Sequence, residues 1–111
     1  MFNKYLKLKD KEKVICYMFD SYRKSKRKME ARMNWKIEEK SEEYGDAYSF
    51  TTLIENAMET CSEDTQRIFN GEYVEKLHGN WYLEYYSRST FYRLKHQAID
   101  EFIDNLMLWI Y

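Results

Sequence analysis

The chain has 111 residues, of which 44% are hydrophobic and 18% aromatic, which suits one domain or a small domain plus an extended arm. No apolar run approaches the roughly 18 residues of a membrane-spanning helix, and the opening MFNKYLKLK lacks a signal-peptide core, which predicts a cytoplasmic protein. Proline is absent and glycine occurs only three times, so little interrupts helices and an all-α class is predicted.

The formal net charge of -1 conceals a strong segregation of charge along the chain. Residues 1–33 hold 11 Lys and Arg against 4 Asp and Glu, residues 34–64 hold 2 against 9, and residues 65–111 hold 5 against 6. Such asymmetry indicates a polyanionic partner, an acidic protein partner, or internal pairing between the segments. We predict a basic helical arm with an acidic end at residues 1–45 and a helical domain at residues 46–111.

A long first helix is predicted over residues 9–43, because apolar side chains recur there at spacings of three and four residues. A polar interval of that pattern holds the run RKSKRK, whose five cations are Arg23, Lys24, Lys26, Arg27 and Lys28. These cations form either a solvated helix face or a stripe that contacts phosphates and displaces counterions from nucleic acid. Tyr17 and Tyr22 are expected in the core or at its rim.

Two shorter helices are expected next. Residues 38–46 are acid-rich and predict a helix end followed by a turn at Gly45, after which the apolar spacing returns from Ala47. Ser62 is predicted to cap a third helix, since a serine hydroxyl accepts a hydrogen bond from a first-turn amide.

Residues 66–86 admit two interpretations. Asn70 and Gly71 separate two short apolar runs, which is a strong hairpin signal and would make the class α+β. The segment instead continues the third helix if Gly71 is accepted inside it, at a cost of about 1 kcal/mol. We favour the helix, followed by a turn at residues 78–80 and a short support helix at residues 81–85.

The last helix is predicted to begin after Ser87, a preferred N-cap residue. Its apolar stripe collects Phe91, Leu94, Ala98, Ile99, Phe102, Leu106 and Trp109. The polar side of its first turns bears donors and no acid, namely Arg88, Ser89, Thr90, Tyr92, Arg93, His96 and Gln97. The apolar end, from Met107 to Tyr111, is expected to be buried within the chain, with a homodimer seam as the alternative.

The segment SRSTFYRLKHQAI resembles the recognition helix of sigma-factor region 4 and of the sigma-like phage late regulators of the ArpU and RinA type. In those families a Ser or Thr cap is followed by Arg, two hydrophobic residues at set positions and an Ala-aliphatic pair. The matching residues here are Ser87, Arg88, Phe91, Leu94, Ala98 and Ile99. The resemblance covers about thirty residues at the end of the chain.

This resemblance implies a helical bundle that ends in a helix-turn-helix and binds DNA with the N-terminal half of the helix that follows Ser87. The side chains expected at the DNA are those of Arg88, Ser89, Thr90, Tyr92, Arg93, His96 and Gln97. The five cations of residues 23–28 would add phosphate contacts. RNA polymerase is implied as a further partner, which a region 4-like domain would recruit to a promoter.

The sequence contains no signature of an enzyme. Phosphate-binding-loop, nucleophile-elbow, zincin and CxxC motifs are absent, so a non-enzymatic protein without metal or cofactor is predicted. Cys16 and Cys61 are isolated from each other and are expected to be buried thiols. The alternative to DNA binding is a helical protein–protein interaction module, for example an RNA polymerase-associated or scaffold protein, that uses the acidic segment and the apolar end.

Overall fold

The structure is a computed structural model that describes residues 7–34 and 42–110, with side chains at residues 7–31 and 45–110. These residues form four α-helices, which are α1 Leu8–Asn34, α2 Glu42–Glu59, α3 Glu63–Phe69 and α4 Arg88–Ile110. A π-helical turn, Asn70–Val74, extends α3, and a 3-10 turn, Trp81–Glu84, precedes α4. No strand occurs in either described range, so the all-α prediction is confirmed and the alternative hairpin is absent.

The start of α2 differs from its prediction. The helix begins at Glu42 rather than near Ala47, so the predicted turn at Gly45 is wrong. Gly45 is exposed and costs a helix only about 1 kcal/mol, which the packing of the following turns offsets. The domain boundary predicted at residue 45 therefore falls inside one helix. The predicted continuation of α1 to residue 43 lies outside the described residues as far as residue 41, and residues 42 and 43 belong to α2 instead.

One hydrophobic core joins all four helices. Its centre is a cluster of three phenylalanine rings, in which Phe69 lies 5.0 Å from Phe102 and Phe19 lies 5.4 Å from Phe102 between ring centroids. Burial of each such ring contributes about 1.5–3 kcal/mol to folding. Phe19 and Ile15 belong to α1, and both are almost completely buried. The N-terminal helix therefore contributes to the same core as α4.

Serine caps fix the starts of α3 and α4, as predicted. The amide of Thr65 donates to Ser62 Oγ at 3.4 Å, and the amide of Thr90 donates to Ser87 Oγ at 3.3 Å. The first cap is also tied to α4, because Ser62 Oγ and Thr65 Oγ1 both donate to Glu101 Oε2, at 3.1 and 2.9 Å. The N-terminus of α3 is therefore held against the middle of α4.

The prediction that the apolar end is buried within the chain is wrong for Leu108, Trp109 and Ile110, whereas Met107 is half-buried. Leu108 is 78% exposed, Trp109 50% and Ile110 52%, while Tyr111 lies outside the described residues. Leu106 is the last buried residue of α4, since no described element covers the turn that follows it. The predicted stripe also omitted Ile103, which is buried because the core-facing side of α4, packed against three helices, is wider than one narrow stripe.

Candidate nucleic-acid interface

The first turn of α4 packs against the 3-10 turn through aromatic rings. The ring of Tyr82 stacks on Phe91, with centroids 3.8 Å apart and an interplanar angle of 4°. Trp81 meets Phe91 edge-on at 5.9 Å, and its indole Nε1 donates to Glu72 Oε1 at 2.8 Å. The edge-on pair of Trp81 and Phe91 has the geometry that adds stabilisation beyond burial. Together with the Tyr82 ring, it packs the 3-10 turn against the start of α4.

The segment before α4 is shorter than the support helix predicted for residues 81–85. It is a single 3-10 turn, and its buried residue is Tyr82, whereas Leu83 and Glu84 are exposed. Three residues, 85–87, join this turn to α4, a length that suits a helix-turn-helix connection of about 3–4 residues. This turn packs against α4 through the ring of Tyr82, which stacks on Phe91.

Gly71 allows this turn to pack closely. A Cβ atom at position 71 would lie 2.3 Å from Cζ2 of the Trp81 ring, a distance that real Cβ contacts do not show. Gly71 itself is buried in the π-helical turn. The glycine that suggested a hairpin is therefore needed for the close approach of an indole ring to a helix.

Lys95 on α4 joins three elements through a polar cluster. Its ammonium group lies 3.0 Å from Glu12 Oε1 on α1 and 3.3 Å from Glu72 Oε2 on the π-helical turn, and its side chain is only 13% exposed. Burial acts to lower the pKa of Lys95, but the hydrogen bonds and charges of Glu12 and Glu72 outweigh burial and raise that pKa above its ordinary value. This cation is thus engaged inside the protein.

The outward side of the first half of α4 carries most of the predicted DNA-contacting side chains. Those that are exposed are Arg88, Ser89, Tyr92, Arg93, His96 and Gln97. Thr90 is half-buried, and its hydroxyl accepts from Ser87 Oγ at 2.9 Å, so it belongs to the cap. Residues 85–99 contain no Asp or Glu. The nearest acid after them, Asp100, pairs with Lys11 at 2.8 Å.

The predicted phosphate-contacting run of residues 23–28 divides between two sides of α1. Arg23 donates to the carbonyl oxygen of Tyr73 and to the Asp20 carboxylate, and Lys26 pairs with Glu55 of α2 at 3.2 Å. These two cations therefore contact neighbouring parts of the chain, and the phosphate contacts of the run stay a prediction. The helical period turns both toward neighbouring elements, whereas Lys24, Arg27 and Lys28 remain exposed.

Two further predictions for α1 are corrected. Tyr17, expected in or beside the core, is 75% exposed, and Cys16, expected to be buried, is exposed as well. Cys61 is buried as predicted, and burial raises the pKa of its thiol to about 11. Both cysteines are free. The core-facing side of α1 is set by Ile15 and Phe19, and the helical period directs their neighbours at 16 and 17 outward.

Other kinds of site are not found in the part of the chain that the structure describes. Within it, no group of three or more His, Cys, Asp and Glu side chains could hold a metal ion. No helix among those residues has the length and apolar character needed to cross a bilayer. Comparisons with known protein families, curated proteins and solved structures gave no match.

Proposed function

We propose that this protein binds double-stranded DNA by placing the first half of α4, residues 88–97, in the major groove. The supporting observation is a solvent-exposed helix surface with cations and hydrogen-bond donors and no acid, on a helix whose start is closely packed against the 3-10 turn. Recognition helices contact base edges with the residues of their N-terminal half. A rigid underside is also needed, because base contacts depend on accurate side-chain placement.

The helical period gives these side chains different tasks. Ser89, Arg93 and His96 follow one another at spacings of four and three residues, which places them on one line of the helix surface. Arg93 is central on this line and is the expected base reader, since a guanidinium group binds guanine O6 and N7 bidentately. Tyr92 flanks the line and can contact a thymine methyl group or a phosphate. Arg88, in the first turn, is placed for a phosphate or a neighbouring base.

The wider assignment follows the resemblance of residues 87–99 to sigma region 4. By that resemblance the protein acts in transcription and has RNA polymerase as a partner. Two arginines and a tyrosine make a small contact with DNA. Tight and specific binding typically buries about 1,000–2,500 Å² of protein surface. A second protein or a second DNA-contacting surface would therefore be needed.

The proposal is tested by duplex binding at several salt concentrations, with mixed genomic fragments as the ligand. Arg88→Ala combined with Arg93→Ala is expected to weaken binding by about tenfold or more, because each bidentate contact contributes roughly 1–3 kcal/mol. Lys24→Ala combined with Arg27→Ala is the matched control, since it removes two exposed cations from α1 and is expected to weaken duplex binding less. Absence of binding at low salt, or equal affinity of the α4 double variant and wild type, would contradict the proposal.

A second candidate function is a helical interaction module, and one observation favours it. Leu108, Trp109 and Ile110 are all exposed in the last turn of α4. Exposed apolar side chains concentrated at one end of a helix can mark a protein contact surface, and a second copy of this chain is one such partner. A chain that fails to bind duplex DNA at any salt concentration would leave this surface as the principal candidate.

A further inference from the structure

The outward side of α1 carries a row of cations with one tyrosine among them, which we call the α1 outer face. Its members are Lys9, Lys13, Tyr17, Lys24, Arg27 and Lys28, and all six side chains are exposed. Lys9, Lys13, Tyr17, Lys24 and Lys28 follow at spacings of four, four, seven and four residues, so they keep to one side of the helix. At 1.5 Å per residue the face is about 28 Å long.

The charge of this face is predominantly positive. Asp20 lies on the same side, but its carboxylate is paired with Arg23. Asp10 and Glu30 are exposed near the two ends of the face. In contrast, the cations on the inward flanks of α1 are engaged, Lys11 with Asp100 and Lys26 with Glu55. Lys9, Lys13, Lys24 and Arg27 of the outer face are exposed and can therefore contact an external anion.

Tyr17 indicates which kind of polyanion fits. A single exposed tyrosine is unremarkable on a protein surface, but this ring is 75% exposed and has cations on both sides along the helix. Single-stranded nucleic acids are bound by surfaces that combine cations for the phosphates with aromatic rings on which bases stack. In a duplex the faces of the bases are covered by their neighbours, so an aromatic ring at the backbone has no base to stack on.

We infer that the α1 outer face binds single-stranded nucleic acid, with phosphates on Lys9, Lys13, Lys24 and Arg27 and a base stacked on Tyr17. This inference does not rest on the DNA-reading role of α4, because none of residues 88–97 belongs to the face. The fold keeps the face exposed because Ile15 and Phe19 direct the opposite side of α1 into the core.

Fluorescence anisotropy with a labelled single-stranded DNA of about 20 nucleotides tests the inference on the full chain, since sites of this kind span roughly 4–16 nucleotides. Tyr17→Ala is expected to weaken binding about fivefold or more, because stacking contributes roughly 1–3 kcal/mol per base. Tyr17→Phe keeps the ring and should retain affinity within about twofold. Tyr48→Ala, which removes another exposed tyrosine from α2, is the matched control and should leave affinity unchanged.

The charge contribution is tested with the same oligonucleotide. Lys24→Ala combined with Arg27→Ala should reduce the slope of log affinity against log salt by about 1.4, since each phosphate contact of a single strand contributes roughly 0.7. Equal affinity of Tyr17→Ala and wild type, or no binding at low salt, would overturn the inference. The inference would also be overturned if single-strand binding were lost in the Arg88→Ala, Arg93→Ala double variant but kept in Tyr17→Ala and in the Lys24→Ala, Arg27→Ala double variant. Duplex binding is measured in parallel, so that failure of either proposal is seen separately.

Discussion

At the residue scale, the contact between Gly71 and Trp81 fixes the start of α4. The indole ring occupies the space that a side chain at position 71 would need, and from there it contacts Phe91 and donates to Glu72. Gly71 has no positive φ, so its conformation alone would accept another residue. The requirement for glycine at this position is therefore steric.

Gly71→Ala is expected to lower the free energy of unfolding by about 1–3 kcal/mol, the usual cost of overpacking a core. Gly45→Ala is the matched control, because a Cβ atom there meets nothing within 4 Å. Helix propensity alone predicts that the control stabilises the protein by up to about 1 kcal/mol. Urea unfolding measures both variants, and equal stabilisation by the two alanines would show that the ring does not lie against position 71.

The sequence predicted some of these residue positions and not others. Ser62 and Ser87 were identifiable because a serine cap acts within its own first turn. The role of Gly71 was not, because it depends on Trp81, which approaches only in the folded chain. The predicted position of Tyr17 was wrong. Periodicity identifies the apolar side of a helix, but a tyrosine occurs both in cores and on surfaces, so its residue type does not indicate which side it takes.

At the element scale, α4 is held by contacts with every other described helix. Glu101 accepts hydrogen bonds from the Ser62 and Thr65 hydroxyls at the start of α3. Asp100 pairs with Lys11 of α1, and Lys95 pairs with Glu12 and Glu72. These contacts face inward, so they leave the outward side of residues 88–97 unoccupied. The existence of the helices could be predicted from apolar spacing. The early start of α2 could not, because Gly45 suggested a turn, whereas an exposed glycine interrupts a helix only weakly.

Lys95→Met is expected to lower the free energy of unfolding by about 1–3 kcal/mol, because two carboxylates would face each other without their cation. The pKa of Lys95 is raised in the folded state, so its stabilisation is fully present below the ordinary value of 10.5 and is lost as pH rises through the folded-state value. The stability difference from wild type should therefore be equal at pH 7 and pH 9 and should shrink above about pH 10.5.

Urea unfolding at pH 7, 9 and 11 provides the measurement. Arg93→Met serves as the control on the same helix, since an exposed side chain typically changes stability by no more than about 0.5 kcal/mol. If the difference in free energy of unfolding between Lys95→Met and wild type already shrinks between pH 7 and pH 9, the pairing of Lys95 with Glu12 and Glu72 would be contradicted.

At the scale of the whole molecule, the segregation of charge in the sequence resolves into two kinds of surface. Part of the basic N-terminal segment is paired internally, as Lys26 is with Glu55. Several exposed cations of this segment, Lys24 and Arg27 among them, lie on the α1 outer face, and a second donor-rich surface lies on α4. The sequence predicted a polyanion partner or internal pairing as alternatives. The sequence could not predict which cations are paired internally and which are exposed, because that depends on which helices become neighbours.

The amide chemical shifts of the isotope-labelled chain, followed by NMR during titration with duplex DNA, test the central proposal most directly. We expect the largest changes at residues 88–97, with little change at Leu108, Trp109 and Ile110. Spectra that do not change at low salt, or changes confined to α1 or to the apolar end of α4, would contradict DNA reading by this helix.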